Sequence, residues 1–204
     1  MGKLKNGIMG PVSGKVANLV FVTDGDKCYV RSAPRKAKTK KRSIKQKAQA
    51  NKLTLLSPLL NPSSDFLRIG FHQKGIELGM KAAAAAKSAN LLAGIKGVFP
   101  DQEIDWENIL VSDGDLRVPA RVTVTAVEKG FEFTWPQDLE EGAGFFSKDR
   151  TMILLYCEEL SVSLFTLSGA QRKELKDNFA LSKMFKGKTM EVFISFRSIQ
   201  SNEV

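Results

Sequence analysis

With 204 residues, 43% of them hydrophobic and 26% charged, the chain has the composition of a folded globular protein and not of a disordered or collagen-like one. Its formal charge of +9 is a local property: residues 1–50 hold 13 of the 31 Lys and Arg, with only Asp24 and Asp26 among acids, and the remainder is slightly acidic. Two cysteines, Cys28 and Cys157, are too few for a disulfide framework, which favours reduced thiols.

The N-terminus starts with charge but develops neither the apolar stretch nor the small-residue cleavage site of a signal peptide. The alanine run Ala82–Ala86 is closed in by Lys81 and Lys87 and is too short to span a bilayer. A cytoplasmic protein with no membrane partner is expected. From Val16 to Val22 the chain is apolar and valine-rich. Asp24-Gly25 then supplies a turn, and Cys28-Tyr29-Val30 resumes a strand, which predicts a β-hairpin over residues 15–31. Within it Leu19, Val20, Phe21 and Val22 form a continuous apolar run. A two-stranded ribbon cannot cover such a run, so these four residues are expected to meet a second copy or another protein.

Residues 31–47 hold nine bases and no acid: Arg31, Arg35, Lys36, Lys38, Lys40, Lys41, Arg42, Lys45 and Lys47. The first half of this segment reads as an exposed connector. Ser43 is placed as a helix N-cap, and the spacing Ile44, Ala48, Leu55, Leu59 predicts a helix that Pro58 ends or kinks. Asn61-Pro62-Ser63-Ser64 reads as a turn and a second cap. Residues 65–93 read as helix broken near Gly70, Gly75 and Gly79, whose small side chains let another element pack close.

Beyond Gly94 the texture changes to short strand-like runs: Ile109–Val111, Val122–Val127, Phe131–Trp135, Met152–Cys157, Val162–Leu167 and Met190–Phe196. The second and third read as a hairpin around Glu128-Lys129-Gly130. The expected fold is α+β, divided into residues 1–98 (β-hairpin, basic connector and helical region) and residues 99–204 (an immunoglobulin- or fibronectin-like β-sandwich). On this reading a fragment beginning near Pro100 folds alone.

The residue sets of ordinary enzymes are missing. Gly7–Lys15 resembles a phosphate loop but has three residues between Gly10 and Gly14 where four are needed, and a strand follows where a helix must open. His72 is the single histidine, which precludes a multi-histidine metal site and leaves one ring for any catalytic triad. Cys28 and Cys157 have no ligand spacing and read as small core residues. Asp101, Glu103, Asp105 and Glu107 resemble a calcium loop but carry Trp106 where glycine is required. Glu158-Glu159 and Glu140-Glu141 read as exposed turns. No catalytic, metal or cofactor site and no small-molecule substrate is therefore expected. The leading reading is a non-enzymatic interaction or structural, self-assembling subunit. The alternative is nucleic-acid or polyanion binding through residues 31–47, where the bases would release counterions from phosphates but no aromatic residue is present to stack.

The opening Met-Gly-Lys-Leu-Lys-Asn-Gly-Ile-Met-Gly-Pro-Val-Ser-Gly-Lys-Val, the segment Tyr29-Val30-Arg31-Ser32-Ala33-Pro34, and Gln46 with Gln49 resemble an uncharacterised bacterial family of about this length, a domain of unknown function. So do Phe99-Pro100-Asp101, Leu110-Val111-Ser112-Asp113-Gly114-Asp115-Leu116 and Phe133-Thr134-Trp135. The resemblance covers essentially the whole chain. It implies one shared architecture and brings no assigned activity or catalytic residue.

Overall fold

A computed structural model describes residues 2–4, 12–24, 27–34, 41–116, 119, 121–137 and 148–198. The chain forms two compact units, Met1–Arg42 and Ser43–Val204. The division thus falls 56 residues before the 98/99 boundary expected from sequence.

The first unit is a four-stranded antiparallel meander, β1 (Gly2–Leu4), β2 (Val12–Val16), β3 (Leu19–Asp24) and β4 (Lys27–Ser32), in the order β1-β2-β3-β4. It contains the expected hairpin as its β3–β4 half. A second tight turn at Ala17-Asn18 closes β2 on β3 by pairing Val16 with Leu19, with Ala17 at φ 50°. The β3–β4 pairing ends at Asp24 and Lys27, as the Asp24-Gly25 signal implies, although Gly25 lies outside the described residues.

The second unit opens with α1 (Ile44–Leu60), capped as expected: the Gln46 amide donates to the Ser43 hydroxyl, and the Ser43 amide donates to the Gln46 side chain. Pro58 does not end this helix. It sits in the last turn, where its missing donor removes one bond, while the helix runs on to bury Leu59 and Leu60 beside Leu56. Ser63 occupies the cap position of α2 (Ser64–Gly70), but its hydroxyl is committed elsewhere. It donates to the Leu59 carbonyl and lies 2.8 Å from the Ser163 hydroxyl. Helices α3 (His72–Glu77) and α4 (Ala82–Ala93) follow, with breaks after Gly70 and at Gly79, whereas Gly75, expected to break the helix, lies buried inside α3.

Gly70 makes the expected close approach. A Cβ there would lie 2.5 Å from the Val111 carbonyl oxygen and 3.1 Å from the Ser112 Cβ, and the Gly70 carbonyl accepts the Asp113 amide at 2.8 Å. Gly70→Ala should therefore cost about 1–3 kcal/mol, read as a lower midpoint in urea without a change of slope. Ile109–Val111, expected as a strand, is a loop instead, with Ile109 and Val111 buried and Leu110 exposed. The fully buried Asn90 side chain from α4 takes the place of a neighbouring strand: its amide nitrogen donates to the Leu110 carbonyl, and its oxygen accepts the Leu110 amide. A short pair, β5 (Ile95–Lys96) with β6 (Glu103–Ile104), bridges the helices to this loop.

Two three-stranded antiparallel sheets complete the unit. One has the order β10 (Val162–Thr166), β9 (Arg150–Cys157), β12 (Glu191–Arg197). The other has the order β11 (Lys176–Ala180), β8 (Gly130–Thr134), β7 (Thr123–Val127). The central strand β9 is buried on both faces from Thr151 to Cys157. Met152, Leu154 and Tyr156 join Leu56, Leu59, Phe66, Phe71 and Ala86 in one core. Ile153 and Leu155 point the other way and join Phe133, Trp135 and Phe196 in a second. The period-two alternation of a strand thus builds three layers, with helices on a sheet and that sheet on another.

The α+β class holds. The described strands give two sheets of three, one carrying a helical layer, which does not confirm the immunoglobulin-like sandwich expected from sequence. Strand β11 had no legible signal, because Lys-Asp-Asn-Phe-Ala offers a single large apolar residue. Among the described residues no helix is long and apolar enough to cross a membrane.

Candidate functional site

Register turns the N-terminal sheet into two chemically different faces. Antiparallel partners directly opposite each other share a face. The pairs Gly14–Phe21, Val16–Leu19, Phe21–Val30 and Thr23–Cys28 therefore place Val16, Leu19, Phe21, Val30 and Cys28 on one side, and Val12 joins them by alternation along β2. No charged residue of β2, β3 or β4 falls there. The pairs Lys15–Val20, Val20–Arg31, Val22–Tyr29 and Asp24–Lys27 place Lys15, Val20, Val22, Tyr29, Arg31 and Lys27 on the other side, with Asp24 as the one acid of these strands there.

The apolar run read from sequence is thus divided, with Leu19 and Phe21 on the uncharged face and Val20 and Val22 on the basic one. Neither set is enclosed. Val16 is 48% exposed, Leu19 46% and Val30 51% on the first face, and Tyr29 is 52% exposed on the second. A sheet with an open uncharged face lacks the cover that makes strands stable in water. Cys28, expected in a core, is exposed on this face, whereas Cys157 is buried in β9 as expected.

Of the nine bases in residues 31–47, Arg31 lies in β4 and Lys41, Arg42, Lys45 and Lys47 are exposed around the start of α1. Arg35, Lys36, Lys38 and Lys40 lie outside the described residues. Sequence reasoning missed Lys15, Lys27 and Tyr29, which register brings onto the face of Arg31. The signal was present as Lys27-x-Tyr29-x-Arg31, a period-two pattern inside the strand.

Among the described residues no group of three or more His, Cys, Asp or Glu side chains is placed to hold a metal ion. Lys15 of the phosphate-loop look-alike lies within β2 and not at a helix start, while Gly7–Pro11 are outside the described residues. His72 is exposed at the start of α3, where it lines a cavity of about 270 Å³ with Arg68, Ile69 and Arg197. Glu159 accepts from Lys188, which holds its carboxyl below the usual range and so unsuits it as a general acid. Glu140 and Glu141 lie outside the described residues.

Burial, helped by Glu158, pushes the Glu191 carboxyl above its ordinary value of 4.5. The folded state then holds that proton more tightly than the unfolded chain. The penalty of ionising Glu191 is absent below 4.5 and is incurred as pH rises through the raised value. Glu191→Gln should raise the melting temperature at neutral pH by about 1–2 °C, once solvent screening is allowed for, and leave it unchanged in acid. Calorimetry at the two pH values checks the sign.

A family model described as Family of unknown function (DUF6266) matches residues 11–204. No curated protein and no solved structure matches the chain.

Proposed function

The chain belongs to the DUF6266 family of unknown function, and for this member we propose a non-enzymatic, structural role in the cytoplasm as a subunit that self-assembles through the uncharged face of its N-terminal sheet. The observation that carries this reading is the open row Val16, Leu19, Phe21 and Val30, spread over three adjacent strands with the charges of those strands on the opposite side. A second copy fits this face better than a charged partner does. Like meets like without burying an unpaired charge, and the lysines and Arg31 of both copies stay in water. The size of the face sets the strength. Four strands about 4.8 Å apart and about five residues long give about 350 Å² per copy, hence about 700 Å² in a pair. That is below the standard specific interface, so association should be micromolar and concentration-dependent. Sedimentation of the full chain over a concentration series tests it.

A second reading, polyanion binding through residues 31–47, is favoured by Arg31 sharing a face with Lys15 and Lys27 and by the exposure of Lys41, Arg42, Lys45 and Lys47. Residues 1–42 carry eleven Lys and Arg against two Asp, which gives this unit its own attraction for phosphates.

A further inference from the structure

The basic face of the N-terminal sheet joins two features that the basic segment alone does not have, a fixed spacing of charges and an exposed aromatic ring. Lys27, Tyr29 and Arg31 alternate along β4 with Cys28, Val30 and Ser32, so all three project from one face with Tyr29 between the bases. Residues two apart on a strand are about 7 Å apart, so the two cations sit about 14 Å apart with the ring midway. Across the sheet the register row Lys15–Val20–Arg31 adds a third cation, and Val22 lies opposite Tyr29 as an apolar floor beside the ring. Lys15, Lys27, Tyr29 and Arg31 are all exposed. Asp24, opposite Lys27 in register, is the one acid of β2, β3 and β4 on this face, and no ion pair among the described side chains involves Lys15 or Arg31.

From this juxtaposition we infer that the Lys15, Lys27, Tyr29 and Arg31 face of the N-terminal sheet binds single-stranded nucleic acid, with the three cations on backbone phosphates and a base stacked on Tyr29. The inference rests on the second reading above and deepens it by naming the ligand class and the site. A duplex is a poor fit, because its bases are already stacked on one another and cannot lie on the ring. No side chain on this face other than Tyr29 carries a ring, so binding should be indifferent to sequence, as stacking on a single aromatic platform is.

The test uses the full chain and fluorescence anisotropy with three probes: a labelled oligo-dT, an abasic phosphodiester of the same length, and heparin as a polyanion without bases. The unmodified protein should bind oligo-dT roughly tenfold more tightly than the abasic strand, the gain expected from one stacked base. Tyr29→Ala should remove that advantage and leave heparin binding unchanged, while Tyr29→Phe should restore it. Replacing Lys15, Lys27 and Arg31 together with Gln should weaken both nucleic-acid probes and lower the slope of log affinity against log salt by about 2.

Equal affinity for oligo-dT and the abasic strand overturns the inference while leaving polyanion binding in place, since heparin still binds. Binding of neither oligo-dT nor heparin removes both. Tighter binding to duplex DNA, or to vesicles of anionic lipid, than to oligo-dT also overturns it. The comparison of oligo-dT with the abasic strand needs no variant and so holds even if a substitution disturbs the sheet.

Discussion

A fragment beginning at Pro100 should show no cooperative thermal transition, whereas residues 43–204 alone should melt cooperatively. The reason lies in β9, whose Met152, Leu154 and Tyr156 are covered by Leu56, Leu59, Phe66 and Phe71 of the helical segment. Cutting at Pro100 strips that cover and exposes the half-buried Phe165 and Phe193 as well. Each large side chain returned to water costs about 1.5–3 kcal/mol, so three of them remove about 5–9 kcal/mol. That is comparable to the whole stability of a domain, about 5–15 kcal/mol. The cut also strands the Leu110 backbone, whose amide and carbonyl are both satisfied by Asn90. Far-UV circular dichroism with heating distinguishes the two fragments, and a sharp melt of the shorter one would show that the two sheets suffice without the helices.

Leu19→Asp combined with Phe21→Asp should weaken self-association at least a hundredfold, while Val20→Thr should leave it nearly unchanged. The contrast follows from register alone: Leu19 and Phe21 lie on the uncharged face, and Val20 lies between Lys15 and Arg31 on the other. Two carboxylates placed in a small apolar interface must be desolvated or neutralised. Each costs several kcal/mol against an interface worth about 8 kcal/mol at micromolar affinity. Cys28 gives an independent reading on the unmodified chain. It is the exposed one of the two thiols and sits on the same face, so its maleimide labelling should slow as concentration rises, while the buried Cys157 stays unreactive throughout.

The parts of the structure legible in the sequence were those whose signal is local. Ser43 with Gln46 announces a capped helix because both bonds close within one turn. Gly70 and Gly79 mark helix breaks because the backbone there meets another segment or turns, while Gly75 marks a close approach to Met80 and Ala82 from inside α3. The alternation Phe131, Phe133, Trp135 marks a half-buried strand. What was not legible depended on partners distant in the chain. Ile109–Val111 has the composition of a strand, but Asn90 supplies its hydrogen bonds, and nothing local distinguishes that from a neighbouring strand.

The helical segment and the strands looked like two domains because their textures differ. The core nevertheless runs through both, since Met152-Ile153-Leu154-Leu155-Tyr156-Cys157 is apolar on both faces and so needs two covers. That continuous run was the available signal. In the N-terminal sheet the apolar run was visible, but which of its residues share a face with which bases required the pairings of β2 and β4.

The most direct measurement is sedimentation equilibrium of the nuclease-treated full chain and of its Leu19→Asp, Phe21→Asp variant across a concentration series. The unmodified chain should show an average mass that climbs above the 22.5 kDa of one copy at micromolar concentration, while the variant stays at 22.5 kDa with its second unit folded. An unmodified chain that holds at 22.5 kDa up to millimolar concentration, or a variant that associates as the original does, would contradict assembly through this face.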